Sequence, residues 1–435
     1  MRRTLPRLFA TALLIGLILP PHVRAEESSS LVALSQELTR GRRDRLVADL
    51  RKELKPGESG VFYLPGAPDP ELEEFRQTSD FFYLTGIQTP GAGLVIYLSA
   101  DKVTEQLYLP RRNPATEKWS GAPLGPGGID PATSNSDAER QRTIELTGFR
   151  GRGQGDSSSV GEHETMRETL SGYLQRASVL FLDYAPPALG ELDTEGSKLA
   201  SEVRERFPSV RVLRAKEAMA RLRVLKSPEE IAAMRRAAAI TCDAHRAAMQ
   251  MVKPGMSEFE LEAILEYVFT REGARYASYP AIVGSGPNSC VLHYFRNERR
   301  VGDGEVVLID AAAEYGRYAS DVTRTFPANG HFSAEQRRVY DAVLKAQNET
   351  KAMVRPGLRI RDLNENVRKV LDKAGLADRI LHGCCHYVGL DVHDVSPDDT
   401  ILAPGMVLTV EPGAYLPERG FGVRIEDTLL VTESG

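Results

Sequence analysis

The stretch VVLIDAAAEYGRYASD, residues 306–321, carries the clearest structural signal in the chain. An apolar run ends at Asp310, turn-forming residues follow, and a second run begins near Asp321, which predicts a β-hairpin. A hairpin whose centre falls just after Tyr315 places Asp310 directly opposite Asp321, with Cβ atoms about 5 Å apart. Two carboxylates that close repel each other by about 4 kcal/mol at an effective dielectric constant of about 20. The pair therefore predicts a bound cation or a shared proton.

Three further candidate ligands, His386, Glu411 and Glu426, lie in predicted strands or strand edges near the end of the chain. Together with Asp310 and Asp321 they amount to four carboxylates and one imidazole. This set suits two divalent cations that activate a water for hydrolysis. The alternative is five polar residues that only satisfy hydrogen bonds.

An internal repeat surrounds the hairpin, because residues 252–273 and 354–375 match at an offset of 102 residues. Each copy predicts a helix, a Pro-Gly turn and a second, amphipathic helix that is stopped by glycine. Two copies are too few for a solenoid, so they predict one domain with pseudo-twofold halves and a site between them. Its first helix is expected after Ser227, a suitable N-cap that precedes Pro228.

The N-terminus resembles a secretory signal, since three arginines precede an apolar run over residues 8–19 and a small-residue cleavage site ends at Ala25. We expect an exported protein, periplasmic or secreted, with residues 1–25 removed, residues 26–35 as a flexible linker and no stable membrane span. The alternative is an uncleaved anchor or a buried helix. Loss of four arginines would change the formal net charge from −5 to −9, which disfavours binding to nucleic acid.

Composition predicts an ordinary globular protein, because the 435 residues are 42% hydrophobic and 26% charged. This length suits two domains, which we predict at residues 36–218 and 219–435. Alternating helices and strands predict an α/β layer in the first domain, with a loop at residues 150–164. The predicted helices are residues 38–54 and 196–207, and the predicted strands are residues 60–64, 81–84, 93–98, 106–109, 179–182 and 210–213.

The four cysteines, Cys242, Cys290, Cys384 and Cys385, lack a zinc-ribbon spacing and are predicted to be small buried side chains. Two alternatives stay open. One is a disulfide between Cys242 and Cys290, and the other is a thiolate ligand next to His386.

Taken together, these motifs resemble the creatinase/aminopeptidase family of pita-bread metallopeptidases, and within it the Xaa-Pro aminopeptidases. Beside the hairpin, the resemblance rests on HGCCHYVGLDVHD at 382–394, GMVLTVEPG at 405–413 and GVRIED at 422–427. The segments FYLTG at 82–86 and WSG at 119–121 resemble the N-terminal domain of that family. The fold implied is α/β, or α+β, with a creatinase-like N-terminal domain and a C-terminal pita-bread domain.

The resemblance also implies roles for the five candidate ligands. Asp310 would bind one metal ion and also the α-amino group of the substrate, while Asp321 and Glu426 would bridge both ions. His386 and Glu411 would complete the second site. The expected metal is manganese, with cobalt or zinc as alternatives.

The same resemblance implies that His293 and His393 bind the substrate and stabilise the developing gem-diolate. Taken singly, either could be an ordinary core histidine. Glu411 would also act as general acid and base.

An Xaa-Pro bond has no N–H and must be recognised by shape. The resemblance implies that His382, Tyr415 and Arg424 line the pocket for the proline ring. The alternatives are that Tyr415 is a core aromatic and that Arg424 only forms an ion pair with the bridging Glu426.

The implied function is release of the N-terminal residue from peptides with proline in the second position. The alternatives are a prolidase, which cleaves Xaa-Pro dipeptides, and a metal-free relative that binds peptides or small molecules. The N-terminal domain is expected to cap the cleft or to build a homo-oligomer. The sequence stops at Gly435, directly after the last predicted strand, so we expect it to be shorter than its relatives.

Overall fold

A computed structural model describes residues 35–70, 74–115, 117–121, 124–125, 147–149, 157–184 and 194–435. The predicted signal, the linker up to residue 34 and residues 150–156 of the predicted loop lie outside these ranges. Within them, no helix is both long enough and apolar enough to cross a membrane.

The N-terminal region is built on one mixed six-stranded sheet, in the order β4-β3-β2-β1-β5-β6. Strands β1, β2 and β3 are antiparallel, whereas β3 with β4, β1 with β5, and β5 with β6 are parallel. Apolar runs such as VLFL in β5 are buried along their whole length, as expected for a strand covered on both faces. The strands are β1 (Gly60–Pro65), β2 (Gly93–Leu98), β3 (Val103–Leu109), β4 (Ser157–Glu162), β5 (Val179–Leu182) and β6 (Arg211–Arg214).

Helices pack around this sheet. They are α1 (Gln36–Leu50), α2 (Ser79–Thr85), α3 (Glu117–Ser120), α4 (His163–Leu174), α5 (Glu195–Arg206) and α6 (Lys216–Arg223). Most of the predicted strands and both predicted helices are confirmed within a few residues. The domain limits stay a prediction.

The strand predicted at residues 81–84 was wrong, because this segment lies inside helix α2. Its four apolar side chains are all buried, so the sequence has no periodicity that separates a strand from a buried helix. The helix ends at Gly86, whose φ of 70° suits glycine at a C-cap.

The loop predicted at residues 150–164 was also wrong over its described part. Residues 157–162 form β4, which pairs in parallel with β3, and α4 starts at His163. A Ser- and Gly-rich segment is tolerated there because β4 is the edge strand and its backbone pairs on one side only.

Two helix pairs form the outer layer of the C-terminal region, and they confirm the internal repeat. They are α7 (Pro228–Met251) with α8 (Glu258–Arg271), and α9 (Ala334–Met353) with α10 (Ile360–Lys373). Both ends of α8 and α10 are 102 residues apart. The Pro-Gly turns also match, with φ of 92° at Gly255 and 94° at Gly357, a region that favours glycine. Ser227 caps α7 as predicted, in a capping box with Glu230.

Short antiparallel sheets line the inner face of these helices. Strands β8, β9 and β11 form one sheet, and pairs β12–β15, β13–β14 and β7–β10 form the others. Leu265 of α8 shares an apolar core with Ile309 of β9, and Leu371 of α10 shares another with Leu408 of β12. The strands are β7 (Tyr276–Ala277), β8 (Ile282–Ser285), β9 (Val306–Asp310), β10 (Ala313–Glu314), β11 (Thr323–Pro327), β12 (Val407–Val410), β13 (Gly413–Leu416), β14 (Phe421–Arg424) and β15 (Asp427–Leu430).

The predicted register of the central hairpin was wrong by two residues, since Asp310 lies opposite Thr323 rather than Asp321. The turn is centred between Gly316 and Arg317, which have φ of 59° and 74°. Positive φ at both central residues is typical of a tight type I′ turn. A shift of two residues preserves the face of each side chain, so Asp321 is a diagonal neighbour of Asp310 instead of its direct partner.

Candidate metal centre

The two halves of the C-terminal region meet through a pair of matching contacts. The Asp321 N–H donates to Thr428 Oγ1 at 3.1 Å, and the Glu426 N–H donates to the Thr323 carbonyl at 3.1 Å. Asp321 and Glu426 are 105 residues apart, as are Thr323 and Thr428. Each half therefore brings one acidic residue to the same place at the junction.

A second acidic pair arises from the β12–β15 ladder. Its last paired residues are Val410 and Asp427. The next position on each strand is Glu411 and Glu426, which therefore face each other beyond the end of the ladder. The four carboxylates predicted as ligands thus lie at the ends of two strand pairs, β9 with β11 and β12 with β15.

The densest group of ligand atoms comprises Asp321, His386 and Glu426, each of which offers one atom within 4.8 Å of the others. The His386 Nε2 atom lies 3.3 Å from Asp321 Oδ2 and 3.6 Å from Glu411 Oε1. Three of the four predicted carboxylate ligands, Asp321, Glu411 and Glu426, therefore lie close to the imidazole.

The backbone around His386 is held from both sides. Thr409 Oγ1 accepts the His386 N–H at 3.0 Å, and the Thr409 N–H donates to the His386 carbonyl at 2.9 Å. The ring Nδ1 lies 3.1 Å from the Tyr387 carbonyl, which requires an Nδ1–H donor and leaves the Nε2 lone pair directed at the carboxylates. An imidazole oriented in this way is a typical metal ligand.

The electrostatics of the centre favour a cation. Burial raises the pKa of Asp321 well above its ordinary value, and the charge of Asp310 raises it further. Burial and the charge of Asp321 do the same to Glu426, and burial and the charge of Glu426 do so to Glu411. Among the residues that the structure describes, the buried Glu426 Oε1 also has no hydrogen-bond partner. The oxygen-rich donor set therefore fits divalent metal ions, which would neutralise these charges and use the free oxygen.

Asp310 is held by two groups. Arg424 Nη2 lies 2.7 Å from its Oδ2, and the Tyr279 hydroxyl lies 2.6 Å from its Oδ1 and 2.5 Å from Asp321 Oδ1. Sequence reasoning missed Tyr279. A lone tyrosine shortly before β8 carries no pattern that separates it from the neighbouring Tyr276. Arg424 pairs with Asp310, whereas the sequence alternative expected an ion pair with Glu426.

The three predicted proline-pocket residues form one hydrogen-bonded chain beside Asp310. His382 Nδ1 lies 2.7 Å from the Gly383 carbonyl, so it carries the proton, and Nε2 accepts from the Tyr415 hydroxyl at 2.7 Å. Arg424 Nη1 donates to the same hydroxyl oxygen at 2.8 Å. Burial lowers the pKa of His382 to about 4 and raises that of Tyr415 to about 12, so both stay neutral near pH 7.

Comparison with known families places both regions of the chain. The model of metallopeptidase family M24 matches residues 232–433, and that of the aminopeptidase P N-terminal domain matches residues 39–145. The chain is 35% identical to the Xaa-Pro aminopeptidase of Escherichia coli strain K12, over 92% of this chain and 94% of that protein. The chain belongs to metallopeptidase family M24.

Two further relatives agree with this assignment. The chain is 32% identical to human Xaa-Pro aminopeptidase 3, over 82% of this chain and 73% of that protein. The structure of zinc-substituted E. coli aminopeptidase P in complex with product matches at a TM-score of 0.78 and 33% identity, over 92% of this chain and 94% of that one. The family and the fold class predicted from the motifs are confirmed. The predicted enzyme class, a metallo-aminopeptidase, is confirmed as well.

In this M24 metallopeptidase, the side chains of His293 and His393 are exposed. The His393 ring meets the His386 ring edge-on, with centroids 4.3 Å apart, and His293 stacks on Phe295. Burial lowers the pKa of His393, and the neighbouring imidazoles of His386 and His293 lower it further. Neither histidine is a core residue, although their substrate-binding roles stay predictions.

The cysteines of the M24 chain are all free thiols, so no disulfide joins Cys242 to Cys290. Cys384 is buried, whereas the other three are partly exposed. The Cys384 and Cys385 sulfur atoms lie 3.1 Å apart. Neither cysteine belongs to the group of converging ligand atoms found in the described part of the chain.

Proposed function

We propose that this protein is an Xaa-Pro aminopeptidase, which releases the N-terminal residue of peptides with proline in the second position. The observation that carries the proposal is the direct contact between two groups of side chains, one suited to metal binding and one suited to proline recognition. The cluster of Asp321, His386 and Glu426 adjoins, through Asp310, the chain of Tyr415 and Arg424. The relatives that span both regions and carry the name Xaa-Pro aminopeptidase support the same activity.

Two divalent metal ions would be held by the five ligands Asp310, Asp321, His386, Glu411 and Glu426. We take manganese as the native metal and cobalt or zinc as alternatives, because four of the five ligands offer hard oxygen atoms. When bound, the ions polarise the scissile carbonyl and lower the pKa of the attacking water.

Proton transfer falls to Glu411 in this proposal. Its Oε1 lies 3.6 Å from His386 Nε2, among the groups that would hold the metal ions and the attacking water. Glu411 accepts the proton of the attacking water and passes it to the leaving proline nitrogen. The exposed His293 and His393 donate hydrogen bonds to the oxygen of the scissile carbonyl, on which negative charge develops.

Proline recognition follows from rigidity. The scissile bond has no N–H group, so the enzyme must distinguish the ring by shape. His382, Tyr415 and Arg424 are locked to each other by hydrogen bonds and cannot rearrange independently. These three hydrogen-bonded side chains form a rigid surface against which the proline ring can pack.

Product analysis on matched peptides tests the proposal. The manganese-loaded protein is expected to release Xaa from Xaa-Pro-Yaa, and Asp310→Ala is expected to be inactive on the same peptide. A protein that cleaves Xaa-Pro dipeptides and leaves Xaa-Pro-Yaa intact would instead be a prolidase. A protein that binds no divalent metal and hydrolyses neither peptide after manganese is added would instead be a metal-free binding protein.

We also infer that the protein is exported, on the strength of its N-terminal residues alone. The arginines before the apolar run and the small-residue site at Ala25 support cleavage there. Mass spectrometry of the protein from its own cell envelope or medium is expected to find Glu26 as the first residue. A cytoplasmic protein that retains residues 1–25 would contradict this inference.

A further inference from the structure

A buried ion cluster lies between the N-terminal region and the segment that carries His393. We call it the Arg223 cluster, and its members are Arg223, Lys226, Asp80, Asp391 and Asp394. Arg223 Nη1 lies 2.6 Å from Asp80 Oδ1, and its Nη2 lies 2.7 Å from Asp391 Oδ2 and also contacts Asp394 Oδ1. Lys226 Nζ lies 3.0 Å from Asp394 Oδ2.

The carboxylates of the cluster come from two separate places. Asp80 lies in the first turn of α2, next to Ser79, whose hydroxyl donates to Asp391 Oδ1 at 2.6 Å. Asp391 and Asp394 stand on either side of His393. One guanidinium group therefore ties a helix of the N-terminal region to the residues that flank a predicted substrate-binding histidine.

Residues 389–394 contain no helix or strand. Isolated backbone hydrogen bonds, such as that from the Asp394 N–H to the Tyr387 carbonyl at 2.8 Å, hold them together with the side-chain contacts of the Arg223 cluster. The fit is close at Gly389, where an added Cβ would lie 2.0 Å from Asp394 Oδ2. His393 itself is exposed and has no hydrogen bond in the described part of the chain. Its position at the metal centre thus depends on its anchored neighbours.

The charge of Arg223 is costly to bury, since the residue is only 3% exposed. Burial alone would disfavour its charge, but Asp394, Asp80 and Asp391 raise its pKa above the ordinary value. Removing one partner of a buried charge group leaves the others uncompensated. Loss of Arg223 would remove the ion pairs of Asp80 and Asp391 and leave Asp391 with the Ser79 hydroxyl, while Lys226 would still hold one oxygen of Asp394.

We propose that Arg223 is a positioning residue, which fixes His393 at the metal centre by joining α2 to residues 389–394. The inference rests on the proposed function, in which His393 contacts the substrate. It gives the N-terminal region a part in the reaction beyond covering the cleft. A displacement of about 1 Å in a catalytic group can lower the rate by about a hundredfold.

The first test is the kinetics of Arg223→Gln on Xaa-Pro-Yaa. We expect kcat to fall by about 30- to 100-fold with KM changed less than about threefold and with unchanged metal content. The matched control is Arg221→Gln, two residues away, whose ion pair with Asp49 is exposed, and which should keep wild-type kcat. A residue with only a structural role would lower the melting temperature and leave kcat of the folded, metal-loaded enzyme unchanged.

A double-mutant cycle with His393 gives the sharper readout. If Arg223 acts through His393, then Arg223→Gln should cost less than about threefold in kcat in a His393→Ala background. Equal losses in both backgrounds, or wild-type kcat for Arg223→Gln, would overturn the inference. If Arg223→Gln does not fold, Asp391→Asn removes one charge of the cluster at its more exposed carboxylate and enters the same cycle with the same expectation.

The wild-type arm separates this inference from the proposed function. A wild-type enzyme that leaves Xaa-Pro-Yaa intact would overturn the proposed function and this inference with it. Cleavage by the wild type together with full activity of Arg223→Gln would overturn this inference alone.

Discussion

The two halves of the C-terminal region share a scaffold and differ in chemistry. Their helix pairs repeat at one spacing, and Asp321 and Glu426 occupy matching positions where the halves meet. Yet His386, the one imidazole among the five candidate ligands, belongs to the second half only. Repetition therefore explains why the acidic ligands come in pairs, and it does not explain the rest of the site.

The two hairpins show how the halves diverged. In the first half, a tight turn at Gly316 brings the chain back at once. In the second half, residues 411–426 make an excursion through β13 and β14 before the chain returns to β15. That excursion supplies Tyr415 and Arg424, so one half carries the proposed proline pocket while both halves carry metal ligands.

The largest effect is expected where the halves meet. Asp321→Asn or Glu426→Gln should lower kcat by about a thousandfold, roughly 4 kcal/mol of barrier, through loss of bound metal. The same changes should stabilise the metal-free protein, because each removes one of several repelling buried charges. Metal analysis and melting temperatures with and without metal check both effects, and Glu298→Gln, an exposed acid, is the control. A metal-free variant less stable than the metal-free wild type would contradict this account.

The next substitution, His245→Gln, gives one half the residue that the other half has at the matching position, Gln347. His245 Nε2 donates to the Ala311 carbonyl at 2.9 Å, while Gln347, 102 residues later, donates to Asp427 Oδ2 at 2.7 Å. Burial lowers the pKa of His245 to about 4, below its unfolded value of about 6.5. The unfolded state thus binds the extra proton, and stability falls as pH drops from about 6.5 to about 4, by roughly 3 kcal/mol in all.

We expect His245→Gln to remove this pH-dependent loss, because glutamine does not titrate. Chemical denaturation at pH 7 and pH 4.5 measures the difference between variant and wild type. His331→Gln, a change at an exposed histidine, should leave the pH dependence as it is. If the unfolding free energy of His245→Gln depends on pH as strongly as that of the wild type, the buried imidazole is not the cause of the acid-induced loss of stability.

A smaller effect is expected in the excursion of the second half. Tyr415→Phe removes the hydroxyl between His382 and Arg424 and leaves two buried polar groups unpaired, at a cost of about 1–3 kcal/mol. We expect kcat/KM for Xaa-Pro peptides to fall by about 10- to 100-fold, with metal content unchanged. Tyr387→Phe is a matched control, since that buried hydroxyl has no hydrogen-bond partner. A kcat/KM for Tyr415→Phe equal to that of the wild type would show that these hydrogen-bonded side chains do not form the specificity pocket.

The smallest effect concerns the two cysteines before His386. The Cys384 carbonyl accepts the Glu411 N–H at 2.8 Å, so bulk added at this pair should shift two ligands of the second half. Alkylation of Cys384 and Cys385 is expected to reduce activity by about tenfold, whereas Cys384→Ser with Cys385→Ser should resist the reagent. Activity assays after mass-verified labelling measure this, and full activity after complete labelling of both would refute it.

Much of the scaffold was predictable because the relevant signals are local. Pro-Gly turns and glycine stops located both helix pairs, and a capping serine located the start of α7. The five candidate ligands were found because carboxylates and a histidine at strand ends have few roles other than metal binding. The buried helix α2 was missed because four consecutive apolar residues suit a strand equally well.

The sequence by itself determined the repeated scaffold, the candidate ligands and the family, since these depend on residue type and spacing. Tertiary structure alone decided the register of the central hairpin. Arg317 adopts its positive φ while its guanidinium donates to the Gln77 carbonyl of the N-terminal region at 2.6 Å. Likewise, Tyr279 and Arg223 reach their partners across 31 to 171 residues of chain. No local pattern encodes such contacts, because their energy exists only once distant segments are packed together.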